Sequence, residues 1–140
     1  MDDPCILDLA YIMDASGSIT PYWNDVLRFA QGVASRVNIS SDGTHLAVIK
    51  FGEESAVEFG FKDGTNEKSV IDKLGKLDPP EAGARTYLHK ALRDANSKLF
   101  DEGTNEFQFR EDPSVRKVRR RKTRDYSDTK LIQSEPVLRF

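Results

Sequence analysis

An apolar run from Ile6 to Met13 leads directly into the turn Asp14-Ala15-Ser16-Gly17-Ser18, and this junction constrains the fold more than any other feature. A short, mostly apolar run that is bounded by Asp, Ser and Gly predicts a buried β-strand. Open α/β folds keep their ligand sites at the carboxyl ends of such strands. The sequence therefore predicts an α/β fold with a candidate site at the end of its first strand.

The segment after the turn has the pattern of an amphipathic helix. Its apolar positions follow the i, i+3, i+4, i+7 spacing and are Val26, Phe29, Ala30, Val33, Ala34 and Val37. Thr20 is the expected N-cap, and Pro21 suits the first helical position because an N–H there would lack a partner in any case. The turn is therefore expected to run straight into a helix N-terminus.

Further strands and helices follow along the chain. His45 to Phe51 predicts a short apolar strand, and Val57, Phe59 and Phe61 alternate on another, with the hairpin connection between them. Helical spacing is found at Val70, Ile71, Leu74 and Leu77, and again at Leu88, Ala91, Leu92, Ala95 and Leu99. This order of elements predicts an open α/β sheet that is largely parallel and flanked by helices.

The first turn carries the side-chain types of a hard-cation site. Asp14 supplies a carboxylate, and Ser16 and Ser18 supply hydroxyls at alternate positions. Mg²⁺ prefers oxygen ligands and keeps several waters, so few carboxylates with some hydroxyls suit it better than a dedicated cage. An ion held in this way stays electrophilic, and an acidic group from another molecule can replace one of its waters. The alternative is an ordinary strand-to-helix loop.

Three separate stretches resemble the von Willebrand factor type A domain, also called the integrin I-like domain. They are DLAYIMDASGSI, GTHLAVIKFG and GARTYLHKAL, which occur in the family's order within residues 5 to 101. The resemblance implies a Rossmann-like fold with a metal-ion-dependent adhesion site. Carried over by residue, Asp14, Ser16 and Ser18 match the family's turn, and Thr86 matches its later Thr. Thr86 is also a candidate N-cap for the helix that follows.

The stretch expected to hold the family's next strand departs from the pattern. Residues Val115 to Asp128 read VRKVRRRKTRDYSD, whereas a central parallel strand should be almost continuously apolar. Consecutive Arg and Lys cannot be buried unpaired at an acceptable cost, so this strand is either not formed or lies at an exposed edge. A one-residue shift places Asp125 at the family's second Asp position. Asp128 is the alternative, and the unshifted alignment puts Arg124 there.

The chain is expected to divide into a von Willebrand A-like domain over residues 1–110 and a basic, divergent tail over residues 111–140. Residues 1–109 carry 11 Lys or Arg against 18 Asp or Glu, whereas residues 110–140 carry 10 against 5. The acidic body argues against a nucleic-acid-binding domain, and the basic run is expected to be solvated. The tail lacks the family's C-terminal elements, so a truncated or divergent product is expected.

Catalysis has little support in the sequence. His45 and His89 have no Cys or Ser partner at a useful spacing. Ser16 lacks the Gly-x-Ser-x-Gly elbow of hydrolases, and no Gly-Lys-Ser or Gly-Lys-Thr phosphate loop is present. The sequence therefore predicts a binding module and not an enzyme.

The expected location is extracellular, and this expectation comes from the resemblance. The N-terminus, Met1-Asp2-Asp3, lacks the basic region of an export signal, and no apolar run is long enough to span a membrane. Cys5 is the single cysteine, so a disulfide within the chain is not possible.

The resemblance implies a divalent-cation-dependent adhesion module that recognises an acidic residue of an extracellular or matrix protein. Mg²⁺ is the expected ion, with Mn²⁺ or Ca²⁺ as alternatives. The residues expected to contact the partner lie near the motifs in sequence and are Tyr22, Trp23, Arg85 and Tyr87, with Glu81 beside them. Packing at loop bases is their alternative role. Two other outcomes stay open, namely a metal-independent scaffold module and an incomplete product without independent function.

Overall fold

The computed structural model describes residues 7–81, 85–104 and 106, and these residues build an α/β fold around a three-stranded sheet. The strands are β1 (Asp8–Asp14), β2 (His45–Phe51) and β3 (Ser55–Phe59), in the spatial order β1-β2-β3. β1 and β2 are parallel, and β3 joins β2 antiparallel through the short hairpin. The predicted fold class and the predicted bounds of β2 are both confirmed.

The helices follow the predicted order with altered bounds. They are α1 (Trp23–Ala34), α2 (Glu67–Gly75) and α3 (Leu88–Asp94), with 3₁₀ turns at Gly17–Tyr22 and Phe61–Asp63 and a π-helical segment at Ala95–Phe100. Asn66 caps α2, because its side chain accepts a hydrogen bond from Ser69 N–H at 2.9 Å. The described helices contain none that is long and apolar enough to cross a membrane.

The start of α1 differs from the prediction. Thr20 was the expected N-cap, but Thr20 and Pro21 both lie within the 3₁₀ turn, and Tyr22 is the residue that precedes the α-helix. Proline is compatible with the 3₁₀ turn because its fixed φ is close to the helical value. The polypeptide therefore leaves the Asp14–Ser18 turn through a tighter helix before α1 begins at Trp23.

One face of the sheet packs against α1 and α2, and we name the buried side chains there the α1/α2 cluster. Leu46 and Val48 of β2 point into it and are fully buried. The helices contribute Trp23, Leu27, Ala30, Ala34, Val70 and Leu74. Full burial of a side chain such as Leu74 stabilises the fold by about 1.5–3 kcal/mol.

The other face packs against α3 and the π-helical segment, and we name the buried side chains there the α3 cluster. Ala47, Ile49 and Phe51 of β2 point into this second layer. Its helical members are Ala91, Ala95, Leu99 and Phe100. β2 is therefore apolar on both faces because a helical layer covers each of them.

The predicted alternation of Val57, Phe59 and Phe61 on one strand is only partly correct. β3 ends at Phe59, and Phe61 lies in the following 3₁₀ turn, where its ring packs edge to face against Phe100 at 5.3 Å. An irregularity in the β2–β3 register opposite Val48 and Ile49 places Val57 against the α3 cluster and Phe59 in the α1/α2 cluster. A bulge changes the face on which the following side chain lies, which simple alternation cannot predict.

His45 begins β2 as a buried structural residue. Its Nδ1 lies 3.1 Å from Asp8 Oδ1, and its Nε2 lies 3.0 Å from the carbonyl oxygen of Ser41. Only 1% of His45 is exposed. The first contact joins the amino ends of β1 and β2, and the second joins β2 to the loop that precedes it.

Candidate functional site

The turn after β1 brings its polar side chains close together. Asp14 is the last residue of β1 and pairs with Phe51 across the sheet. Its Oδ1 accepts a hydrogen bond from Ser16 N–H at 2.8 Å, which is the local turn that Asp favours. The hydroxyl oxygens of Ser16 and Ser18 lie 3.2 Å apart. Ser16 is only 2% exposed, whereas Ser18 is exposed. The turn is therefore anchored by a buried serine and places a second serine at the surface.

The end of β2 connects this turn to the segment that carries Thr86. Ala15 N–H donates to Phe51 O at 2.6 Å, and Tyr87 N–H donates to Gly52 O at 3.0 Å. The adjacent carbonyls of Phe51 and Gly52, at the end of β2, therefore hold the Asp14–Ser18 turn and the segment that contains Thr86. Because Thr86 directly precedes Tyr87, the structure brings this fourth predicted site residue to the same edge of the sheet as Asp14.

Gly52 lies in close contact with both segments. A β-carbon at position 52 would lie 2.9 Å from Ala15 O and 3.4 Å from Arg85 O. The first distance is too short for a side chain, so the close approach of the two segments requires glycine. In the sequence, Gly52 ends the stretch GTHLAVIKFG and begins the hairpin connection, and neither position by itself predicts its contact with the turn. The available clue was that Gly52 directly follows the predicted strand His45 to Phe51 and begins the hairpin connection.

Thr86 itself is exposed and lies just outside α3. Tyr87 occupies the N-cap position and makes no side-chain capping hydrogen bond. The alternative prediction, in which Thr86 caps this helix, is therefore wrong. The Thr86 hydroxyl does not serve as the helix cap.

Several predicted residues lie outside the described residues. They include Asp125 and its alternative Asp128, together with Cys5 and the predicted basic tail over residues 111–140. Within the described ranges, no group of three or more His, Cys, Asp or Glu side chains is arranged to hold a metal ion. In the Asp14–Ser18 turn, the side-chain oxygens beside the Asp14 carboxylate are the hydroxyls of Ser16 and Ser18.

Trp23 is not a surface residue, and the prediction that it contacts a partner is corrected. It is only 4% exposed and belongs to the α1/α2 cluster. Its indole Nε1–H donates to Leu77 O at 3.2 Å, which satisfies the polar atom of a buried ring. Tyr22, by contrast, is 61% exposed. Trp23 therefore has the alternative role that the sequence left open, which is packing at the base of a loop.

Tyr87 and Arg85 form part of a polar surface cluster next to the turn. Arg85 Nη1 donates to the Tyr87 hydroxyl at 3.2 Å, and Lys90 Nζ lies 5.1 Å from the Tyr87 ring centroid. Lys90 Nζ also donates to Glu54 Oε1 at 2.6 Å and to Glu53 O at 2.7 Å. Lys90 and Glu54 were not predicted as site residues, because their contact joins residues far apart in the chain and no local pattern indicates it.

A cavity of about 620 Å³ opens beside the turn. Ala15, Phe51 and Gly52 are among the residues that line it. Its described charged lining residues are Lys50, Glu53, Glu54, Asp78 and Glu81. Acidic groups therefore outnumber basic ones on this side of the Asp14 turn, and their field favours cations.

The comparisons with known proteins agree with this architecture. The family model for the von Willebrand factor type A domain matches residues 8–119. Cuticlin-6 of Caenorhabditis elegans is 43% identical over 97 residues, covering 64% of this chain and 17% of that protein. Von Willebrand factor of Rattus norvegicus is 27% identical over 89 residues, covering 63% of this chain and 20% of its own length.

Solved structures show the same fold. Proximal thread matrix protein 1 from the mussel byssus superposes with a TM-score of 0.64 at 26% identity, covering 69% of this chain and 26% of that chain. A second structure of that protein, with a zinc-occupied MIDAS motif, gives a TM-score of 0.65 at 25% identity over 71% of this chain. The chain thus spans about a quarter or less of each of these proteins.

The family model covers well over half of the 140 residues, and the β1-turn-helix arrangement, the layered sheet and the superposed structures all lie within or overlap that range. This chain belongs to the von Willebrand factor type A domain family.

Proposed function

We propose that this domain binds a divalent cation at the Asp14–Ser18 turn and uses it to hold a carboxylate of an extracellular or matrix protein. The observation that carries the proposal is that two segments with candidate ligands meet at the end of β2. Phe51 O and Gly52 O hold the turn and the segment containing Thr86 side by side. In this proposal the ligands are Asp14, Ser16, Ser18 and Thr86. Asp125, which lies outside the described residues, completes the set.

The spacing of the hydroxyls fits a small octahedral ion. Mg²⁺ binds oxygen at about 2.0–2.1 Å, which separates neighbouring ligands of an octahedron by about 3 Å. The Ser16 and Ser18 oxygens are 3.2 Å apart, so they can serve as adjacent ligands with little movement. Mn²⁺ and Ca²⁺ accept the same ligand types. The zinc-occupied motif of the mussel protein supports a divalent cation in a related domain without identifying the ion here.

The described residues prepare the site in two ways. Ser16 is buried and its N–H holds Asp14 Oδ1, so the carboxylate is oriented before an ion arrives. The acidic cavity wall, with Glu53, Glu54 and Asp78, raises the local concentration of cations. A bound ion with few anionic ligands would supply Lewis acidity toward an incoming carboxylate.

The expected partner is a protein of the extracellular matrix or a secreted protein. The relatives include a von Willebrand factor, a collagen VI chain, matrilin-3 and a cuticlin, which are matrix or secreted proteins. Members of this family mediate adhesion between proteins. Tyr22 and Arg85 are exposed and Tyr87 is partly exposed, and the three are proposed to contact the partner around the ion. In this proposal the domain is a binding module without catalysis.

Thermal unfolding of the purified chain during Mg²⁺ titration tests the metal site. A ligand that binds only the folded state adds about 1.4 kcal/mol at ten times its dissociation constant, which raises the melting temperature of a domain this size by several degrees. Asp14→Ala should abolish this rise. The matched control is Asp72→Ala, because Asp72 lies on α2 in an exposed pair with Lys76 and should leave the rise intact.

Two results would reject the metal site. One is a wild-type melting temperature that does not respond to Mg²⁺, Mn²⁺ or Ca²⁺, and the other is an equal response in Asp14→Ala.

Binding to immobilised matrix protein should disappear in EDTA. Binding that survives EDTA and falls steeply with salt would instead favour the metal-independent scaffold module.

A further inference from the structure

Residues Asn38-Ile39-Ser40 form an Asn-x-Ser sequence whose middle residue is not proline. No other Asn-x-Ser or Asn-x-Thr sequence occurs in the 140 residues. This pattern is the acceptor signal for N-linked glycans in exported proteins, where the modified Asn must lie at the surface. The pattern is short enough to occur by chance, so its structural setting decides whether it can be used.

The structure places Asn38 at the surface of the loop between α1 and β2. Asn38 is exposed, whereas Ile39 is only 5% exposed and Val37 packs against the α1/α2 cluster. The two apolar neighbours anchor the backbone, and Asn38 is the residue between them that meets solvent. A glycan on this side chain would not enter the core.

The backbone at Asn38 suits the residue that is present. Its φ is 46°, in the left-handed region that Asn tolerates better than most residues with a side chain. Asn38 O accepts a hydrogen bond from Thr44 N–H at 3.3 Å, which closes the loop. Gly43 leaves room inside this loop, since a β-carbon there would lie 2.6 Å from Ser40 Oγ.

The loop lies at the opposite edge of the sheet from the Asp14 turn. It leads into His45 at the amino end of β2, whereas Phe51 and Gly52 hold the turn at the carboxyl end. Seven strand residues at about 3.3 Å each separate these ends by about 20 Å. A glycan on Asn38 would therefore leave the surface around Asp14 open to a protein partner.

We propose that Asn38 is an N-glycosylation site. Its amide Nδ2 loses a proton and forms a bond to the anomeric carbon of an oligosaccharide. The bond from that carbon to a polyprenyl diphosphate carrier breaks, and the diphosphate leaves with the electron pair. The inference rests on the extracellular location in the proposed function and is independent of the metal site.

The test is secretion of the full 140-residue chain from cultured animal cells behind a cleavable export signal. The wild type should carry one glycan that peptide N-glycosidase removes, leaving Asp at position 38 in the peptide mass spectrum. Asn38→Gln and Ser40→Ala should both migrate like the enzyme-treated wild type. Ser40→Ala is the second variant because it removes the signal and keeps Asn at the left-handed position.

Lys98→Thr provides a positive control within the same chain. It creates an acceptor at Asn96, which is exposed on the π-helical segment. A Lys98→Thr chain that carries a glycan at Asn96 and none at Asn38 would overturn the inference.

Mg²⁺ titration of Ser40→Ala separates this inference from the proposed function. The variant should keep the wild-type metal response because the two sites lie at opposite edges of the sheet. A wild type without a glycan but with a metal response would overturn the modification alone. A glycosylated chain without a metal response would overturn the metal site alone.

Discussion

At the scale of single residues, Gly52 is the position where the candidate site depends on the absence of a side chain. Its carbonyl holds Tyr87, and its α-carbon leaves no room for a methyl group against Ala15 O. We expect Gly52→Ala to push the Asp14 turn away from the Thr86 segment, at a cost of about 1–3 kcal/mol from overpacking. The Mg²⁺-induced rise in melting temperature should also shrink, because the ligands separate and the ion binds more weakly.

Gly32→Ala is the matched control for this prediction. Gly32 lies inside α1, where an added β-carbon would meet only the Arg36 guanidinium at 4.0 Å. Alanine in a helix interior is favoured over glycine by about 0.5–1 kcal/mol, so this variant should be more stable and keep the full metal response. A Gly52→Ala chain with an unchanged metal response would contradict the positioning role.

The sequence predicted the parts of the site that are local. Asp14, Ser16 and Ser18 are within five residues of each other, so a turn motif was enough to group them. The contact between Lys90 and Glu54 spans 36 residues and depends on how α3 docks beside the hairpin. Spacing along the chain carries no information on such a contact, and for the same reason the sequence left the packing of Trp23 as an alternative to partner contact.

At the scale of elements, α1 shows how periodicity can predict a helix and still assign one exposed side chain to its buried face. The spacing included Phe29, yet Phe29 is 75% exposed, and the buried residues are Trp23, Leu27, Ala30 and Ala34. With 3.6 residues per turn, Phe29 lies about 130° from the centre of that buried stripe. β2 was predicted correctly because both of its faces are buried, so no choice of face was needed.

The junction of α3 and the π-helical segment contains a pH-sensitive contact. Partial burial acts to raise the pKa of Asp94, but hydrogen bonds from Ser55 and Lys98 and the charges of Lys98 and Arg93 outweigh it, so its pKa is lowered. Ser55 donates to Asp94 Oδ2 from β3, and Lys98 Nζ lies 3.0 Å from Oδ1. The carboxylate therefore joins β3 to the helix that covers it.

A lowered pKa makes this contact stabilising only while Asp94 is ionised. The contribution is present above the ordinary value of 3.8 and is lost as the pH falls through the lower folded-state value. We expect Asp94→Asn to destabilise the domain by about 1–2 kcal/mol at pH 7 and to weaken the loss of stability below about pH 4.

Urea unfolding at pH 7 and pH 3 measures this difference. Asp72→Asn is the control, because its pair with Lys76 is on the surface and such pairs contribute about 0–1 kcal/mol. If Asp94→Asn and the wild type lost equal stability between the two pH values, the Asp94 contact would not be the acid-sensitive element.

At the scale of the whole molecule, the sheet separates two cores that share a strand and do not share side chains. Val48 and Ile49 are neighbours on β2 and are both fully buried, but Val48 lies in the α1/α2 cluster and Ile49 in the α3 cluster. Because packed side chains lose contacts only with their own neighbours, each layer should respond to its own substitutions. The candidate metal site lies at the carboxyl ends of β1 and β2, where Ala15 belongs to the α1/α2 cluster and Phe51 to the α3 cluster.

This separation predicts which substitutions act independently. Leu74→Ala removes a fully buried side chain of the α1/α2 cluster and should cost about 2–5 kcal/mol, whereas Ile49→Val should cost about 0.5–1.5 kcal/mol. Their costs should add to within about 0.5 kcal/mol, because the two side chains lie on opposite faces of the sheet.

Val48→Ala is the matched control. Its cost combined with that of Leu74→Ala should deviate from additivity by about 0.5–3 kcal/mol, because both residues belong to one cluster. Urea unfolding of the single and double variants measures both coupling energies. Coupling of Leu74 to Ile49 as strong as its coupling to Val48 would show that β2 transmits strain between its faces, and the two layers would then form a single cooperative core.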